Sequence, residues 1–408
     1  MKHPVFLPGL LAGLTALNGI AAAAPAEQVD NLRDAFENGS VSGTLRAYHN
    51  VKAPEQGDTL NTFAVGASLH AETAPWAGVS AGGTFYASNG LGLQNDDPAK
   101  RNANLPENAD VLGEAWLQYA NRDNRLRFGR QQLDTPFANP SDGFLIPVTF
   151  EALAFTNTSV EGLTLSGYYL RRIKSRPDDD FQRVSQFALD RFGVAADSDQ
   201  GAWIAGARYQ PGRTAWQGWA FSMPDLFNLY YAQADRPIGE LLGFAPTLAA
   251  QLLYAEDNGD NLLDDVNARG AGVKLSAARG PFTLALAWNH FLEDRDSYGG
   301  GALPAPFNYS SGPLFTNSMT QTLENSAPGD AYKVTLQRRF GSQWSTQISY
   351  AQYQRLGAVD TDETDLDITY AFAGNLKGLS FRLRIGVIGA EQADARFTEI
   401  RPQMQYVF

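Results

Sequence analysis

Residues 380–389, SFRLRIGVIG, place two arginines among apolar residues in a stretch that reads as a β-strand. Alternate residues of a strand point to opposite faces. Phe381, Leu383, Ile385 and Val387 therefore share one face, and Arg382, Arg384 and Gly386 share the other. A soluble sheet buries the first face and hydrates the second. A membrane barrel turns the oily face outward and keeps the charges in its lumen.

The same alternation recurs along the chain, in runs of about 8–11 residues punctuated by Gly, Pro, Asn and Asp. Strands are expected near 41–51, 61–71, 76–86, 112–121, 124–131, 150–156, 161–173, 200–210 and 214–222. Nine more are expected near 226–235, 246–254, 270–277, 281–290, 331–340, 343–353, 366–373, 379–388 and 399–408. In QWSTQISYAQY (343–353), Trp344, Thr346, Ile348 and Tyr350 share a face opposite Ser345, Gln347 and Ser349. In AWIAGARYQ (202–210), Trp203 and Tyr209 share a face opposite Gly206 and Arg208. Aromatics six residues apart lie roughly 20 Å apart along a strand at about 3.3 Å per residue, which suits two aromatic girdles around an oily band.

Loop length sorts by parity. Even-numbered connections are short: ETAP, NRDN, NTSV, QPGR, AARG, GSQ and AGNLKG, with the stretch around RPIGELLG as the exception. The long ones, 87–111, 132–149, 174–199, 255–269 and 291–330, are all odd-numbered. Short turns on one side and long loops on the other are the mark of an outer-membrane barrel. The expected fold is thus all-β: a transmembrane antiparallel β-barrel of about eighteen strands, with short periplasmic turns and long extracellular loops.

Composition agrees. The chain has 408 residues, no cysteine and a formal charge of −12, which excludes disulfide scaffolds, thiol chemistry and nucleic acid as a partner. Mean hydropathy is −0.28, and beyond the N-terminus no run of about 18 apolar residues is available for a spanning helix. MKHPVFLPGLLAGLTALNGIAAAAPAEQ has a basic start, an apolar core and a small-residue tail, so residues 1–26 read as a secretory signal before one barrel domain at 27–408.

With the apolar face of each strand turned to lipid, the opposite face carries Arg46, Arg127, Arg208, Lys274, Lys333, Arg339, Arg382, Arg384 and Arg401, and Arg130 is grouped with them. Glu114 and Asp367 are the clear acids of that face, while RPDDDF, EDNGDNLLDD, EDRDS and DTDETDLD put the other carboxylates in expected loops. Arg338 falls on the outer face near a strand end, an interfacial position. A basic ladder in a water-filled tube concentrates anions, and arginine offers carboxylates a two-pronged donor. An eighteen-strand barrel leaves an aqueous channel unless something fills it. QLDTPFANPSDGFLIPVT (132–149) is too apolar to wave in solvent and is the expected constriction loop, with Phe137, Phe144, Asp134 and Asp142 as candidates. The loop 291–330, with YGGGALPAPFNYSSGP, is a second.

Residues 112–176, with GRQ, a following proline and aspartate, LIPVTFEALAF and EGLTLSG, resemble the OprD-type outer-membrane carboxylate-channel porins. DAFENGSVSGTLRAYHN resembles the opening strand of that family, and RPQMQYVF looks like a terminal barrel strand ending in the aromatic Phe408. FEALAF departs from the family's usual glycine after the charged residue. The resemblance implies a monomer or weak homotrimer, inward-folded third and seventh long loops, and a basic ladder guiding carboxylate-bearing solutes.

The expected function is passive passage of small anionic or zwitterionic solutes across a Gram-negative outer membrane, with its lipid and lipopolysaccharide as surroundings. A non-selective diffusion porin is the alternative. A barrel enzyme is the weaker rival, because His49, His70 and His290 sit in no nucleophile motif. DNGDNLLDD (257–265) lacks the residue order of a calcium loop. A soluble sugar-binding β-protein would not sort its turns by side. No catalytic residue, metal or cofactor is expected.

Overall fold

The computed structural model describes residues 28–102, 105, 108–141, 143–194, 200–307 and 312–408. The expected signal segment and Asp142 lie outside the described residues. Eighteen long strands, from Ser40–Pro54 to Phe397–Val407, each pair antiparallel with the next, and the last pairs with the first. A two-residue strand, Gln182–Arg183, adds to the end of Leu163–Lys174 inside a loop. Closure leaves the strands without a free edge.

Each of the eighteen expected strands is present, and the largest boundary shift is instructive. The strand expected at 366–373 runs from Thr361 to Ala371, so most of DTDETDLD is strand rather than loop. Loop lengths sort by side: 73–78, 121–123, 158–162, 210–214, 238–244, 280–281, 341–343 and 372–378 close one end. The long connections 90–107, 132–148, 175–201 and 292–328 are all at the other. No helix among the described residues is long and apolar enough to cross a membrane. Among the described residues the longest helix, Val184–Phe192, lies in the loop 175–201 and stops at Gly193, whose φ of 74° is the left-handed conformation glycine adopts freely.

The outer surface is apolar and banded. Trp344, Ile348 and Tyr350 are 46%, 50% and 45% exposed on it. Near the short turns Trp344 packs on Tyr370 at 4.5 Å, and Arg338 lies over Phe282 and Phe340 at 4.8 and 3.9 Å, an interfacial arginine. Near the long loops Tyr169 meets Trp203 at 4.6 Å and Tyr230 stacks on Tyr254 at 6.0 Å.

Two buried clusters join the long loops to the inner wall. One buried cluster joins wall residues Phe221, Leu229, Leu253 and Phe291 to Phe137, Val148, Phe187, Leu303 and Phe307 of three long connections. A second joins Tyr48, Ala64, Tyr86 and Val111 to Phe144, Leu145 and Ile146. Apolar side chains on these loops thus find their burial inside the barrel.

At the closing seam, Gly43 and Phe408 exchange two backbone hydrogen bonds of 3.0 Å. A Cβ on Gly43 would come 2.4 Å from Phe408 Cζ and 2.8 Å from the Ser68 carbonyl oxygen. Overpacking of this kind costs ~1–3 kcal/mol. Gly43→Val is expected to lose most of the heat-modifiable folded band in gel electrophoresis, and Gly43→Ala to lose part of it.

Candidate functional site

Three adjacent strands, Leu379–Ala390, Phe397–Val407 and Ser40–Pro54, bring Arg382, Arg384, Arg401 and Arg46 together on the inner face. Register makes the cluster: Arg384 is paired with Arg401, Arg382 with Gln403, and Arg46 with Gln405. Arg382 grips Asp367 through Nε at 3.0 Å and Nη2 at 2.5 Å, and Arg384 Nε lies 3.5 Å from the same carboxylate. One aspartate therefore serves two guanidiniums. Arg401 donates to Glu399 at 2.9 Å and is nearly buried. Arg46 donates to Gln405 Oε1 and to the carbonyl oxygen of Phe144.

Phe144 ties the loop 132–148 to this cluster. Its ring stacks on Tyr48 at 5.4 Å, with Arg176 at 4.5 Å and Arg401 at 5.1 Å. Aromatic faces attract guanidinium groups, so the loop is held by charge as well as by burial. Phe137 is fully buried against Phe221 and Tyr231 and anchors the loop without lining an opening. Asp134 does not face the arginine cluster; it pairs with Arg208 at 2.9 Å on the strand Ala202–Tyr209.

The inner face holds more acid than expected from sequence. Glu363, Asp365, Asp367 and Glu399 all point inward, and the first is fully buried. Glu363 accepts backbone N–H groups of Thr320 at 3.0 Å and Gln321 at 2.8 Å, and Asp365 accepts that of Met319 at 3.3 Å. Lys333 donates to the Asn317 carbonyl at 2.5 Å, and Tyr353 to that of Thr316 at 2.6 Å. Arg355 reaches Gln321 Oε1 at 3.0 Å and the Thr322 carbonyl at 3.1 Å. These side chains hold residues 316–322 of the loop 292–328 against the wall. A buried carboxylate needs such donors, which is why acids placed in a loop by sequence belong to a strand facing one.

The remaining basic residues are spread around the barrel. Arg127 is held by Gln118 at 3.0 and 2.7 Å and lies 3.9 Å over Trp116. Lys274 lies 4.5 Å over Phe315, and Arg339 sits near the short-turn end of Gly329–Phe340. Alternation does not fix the face of Arg130, because Gly129 before it has a φ of 120°; its guanidinium rests 4.4 Å over Phe181. The histidines do not converge: His49 contacts Asn61, His70 contacts Thr84 and His290 contacts Asp330. Among the described residues, no group of three or more His, Cys, Asp or Glu side chains is placed to hold a metal ion.

A closed eighteen-strand barrel with oily walls, sorted loops and a charged inner face defines a transmembrane β-barrel of the Gram-negative outer membrane. The model of the OprD family of outer membrane porins matches residues 113–408, and the chain belongs to that family. A BenF-like porin from Pseudomonas fluorescens Pf-5 superposes with a TM-score of 0.78 at 16% identity, covering 92% of this chain and 99% of that one. OccAB3 of Acinetobacter baumannii gives 0.77 at 16% identity, covering 91% and 99%. Pseudomonas aeruginosa OpdK, solved with vanillate, gives 0.72 at 18%, also covering 91% and 99%. No curated protein sequence matches the chain.

Within the loop 292–328, burial raises the Glu324 carboxyl from 4.5 to about 7, against the opposing pull of Asn317, the Leu314 backbone and Arg191. In the folded loop this group keeps its proton up to about 7, whereas the unfolded segment releases it near 4.5. Its contribution to stability is complete below the lower value and is lost as pH rises through the upper one. Hydrogen exchange over 314–324, corrected for intrinsic rate, is expected to be several-fold slower at pH 5 than at pH 8. Glu324→Gln should remove the difference.

Proposed function

We propose that this porin passes small hydrophilic solutes and favours those bearing a carboxylate, anionic or zwitterionic. The observation that carries the reading is the sharing of Asp367 by Arg382 and Arg384 beside Arg46 and Arg401. A single carboxylate does not neutralise two guanidiniums, so positive potential persists on a wall backed by low-dielectric lipid. The Arg382 and Arg384 side chains are 26% and 21% exposed, against 8% for Arg401. They are the pair best placed to meet a passing solute, and Arg401 acts from behind Phe144.

The three inward loops narrow the lumen with packed apolar side chains, so size selection accompanies charge selection. Vanillate, the molecule with which OpdK was solved, is a small aromatic carboxylate and is consistent with this class of solute. The residues named here all come from one chain, so the reading holds for a single barrel and for a loose trimer alike.

Entry into liposomes tests the proposal with matched pairs such as benzoate and benzamide. Arg382→Gln with Arg384→Gln should slow the carboxylate about fivefold, the equivalent of ~1 kcal/mol, and leave the amide nearly unchanged. Asp367→Asn should speed the carboxylate by releasing both arginines. Equal loss of both members would assign the arginines a purely structural role.

A further inference from the structure

Four adjacent strands, Phe227–Pro237, Ala245–Asp257, Asn267–Arg279 and Phe282–Phe291, carry a dip in the lipid-facing wall near the long-loop end. Register builds it. One row across the ladder reads Ala232, Leu252, Ala271 and His290, so two alanines alternate with larger side chains. The row above reads Tyr230, Tyr254 and Arg269, and Leu292 follows through its N–H bond to the Arg269 carbonyl at 3.0 Å. Together they enclose a groove of about 530 Å³ over the alanines. Leu252 and Leu292 stand exposed beside it, on a wall whose surroundings are hydrocarbon. An apolar hollow in that medium takes up lipid chain, since an empty one forfeits its contacts.

Arg269 stands at the head of the groove, level with Tyr254, which stacks on Tyr230 in the aromatic girdle. Its Nε donates to Asn267 at 3.0 Å, and among the described residues its two terminal nitrogens have no acceptor. The neighbouring acids have other donors. Glu256 accepts from the Tyr230 and Tyr254 hydroxyls at 3.2 and 3.0 Å, and Asp294 from Asn267 at 2.6 Å. Asp330 accepts from Trp288 at 2.9 Å and lies 3.0 Å from His290 Nδ1. At the short-turn end Arg338 lies on two rings and Arg279 lies 5.0 Å over Phe244, whereas among the described residues Arg269 has no ring beneath it. A guanidinium at headgroup level is thus left with a free pair of donors, the geometry that phosphate fits.

We infer that this groove binds one phosphorylated glycolipid of the outer leaflet, the lipid A part of lipopolysaccharide. An acyl chain lies over Ala232 and Ala271, and a phosphate accepts from the terminal nitrogens of Arg269. The long loops mark the outer side of the barrel, so the groove opens onto the leaflet in which that lipid resides. The side chains concerned face away from the lumen, and the site is independent of the passage of solutes.

Native mass spectrometry of purified barrels counts the lipid retained when lipid A, or lipid A stripped of its phosphates, is added in detergent. The wild type should hold one lipid A per barrel and prefer it to the dephosphorylated form about tenfold. Arg269→Gln should remove most of that preference, and Arg338→Gln, at the other rim, should leave it intact. Ala271→Phe fills the groove and should weaken both forms by a similar factor. Inorganic phosphate at the same concentration should not displace lipid A. Benzamide entry and the heat-modifiable band should match the wild type in every variant, and Arg269→Met replaces the glutamine variant should it fail that check. Equal retention of the two lipid forms by the wild type, or a preference that survives in Arg269→Gln, would overturn the site. Unchanged retention in Ala271→Phe would put the lipid elsewhere on the wall, and displacement by inorganic phosphate would show an anion site without a chain in the groove; either result would overturn it equally.

Discussion

In hydrocarbon an unpaired backbone N–H or C=O costs on the order of several kcal/mol, and a sheet that crosses a membrane must therefore have no edge. The ladder between Ser40–Pro54 and Phe397–Val407 removes the last one. It also creates the arginine cluster, because Arg46 belongs to the first strand and Arg401 to the last. Only when the barrel closes do these residues, far apart in the chain, come onto one seam and both reach Phe144. The seam that makes the protein stable in lipid is also the seam that assembles its most basic wall.

Closure raises a second demand. An inner face of charged side chains is stable where water or a partner reaches each charge, and the inward loops take water away from much of this one. The wall answers with acids as well as bases: Glu363 and Asp365 accept from the amides of 319–321, while Lys333, Tyr353 and Arg355 donate to carbonyl and amide oxygens of the same loop. Charge in this lumen thus has two uses. Near the loop 292–328 it holds backbone, and on the arginine cluster part of it stays turned to the passage.

That division explains what could be read in the sequence and what could not. Strand periodicity and loop parity are local, and they located all eighteen strands. They faltered at Asp360–Asp367, where acids fall on both faces and the apolar alternation disappears. There the inner acids answer donors on the loop 292–328, which sequence spacing does not reveal. The inward face of Arg382 and Arg384 was legible from alternation, yet their shared use of Asp367 depends on register with a neighbouring strand. At Arg130 alternation is no guide to the face, because a glycine at φ 120° interrupts it; the guanidinium lies over Phe181, which packs on the interior cluster. Asp134 was assigned to its loop without a partner, since pairing with Arg208 requires the loop's fold inside the barrel.

The arginine cluster also shows why counting basic residues on an inner face overstates its field. Arg208 is matched by Asp134 and Arg401 by Glu399, and Lys333 is committed to the Asn317 carbonyl and the Ser318 hydroxyl of a loop. A matched pair contributes little net charge, and the buried Arg401–Glu399 pair is retained for geometry as much as for stability. On the proposed reading, potential available to a solute comes from the mismatch, where two guanidiniums lean on one carboxylate. Were Arg384 given its own aspartate, the wall would hold its shape and lose the excess charge on which the proposed carboxylate preference rests. Were Asp367 absent, two like charges on adjacent lumen positions would repel across a thin layer of water. One carboxylate between two arginines is the arrangement that keeps the wall together and leaves it positive.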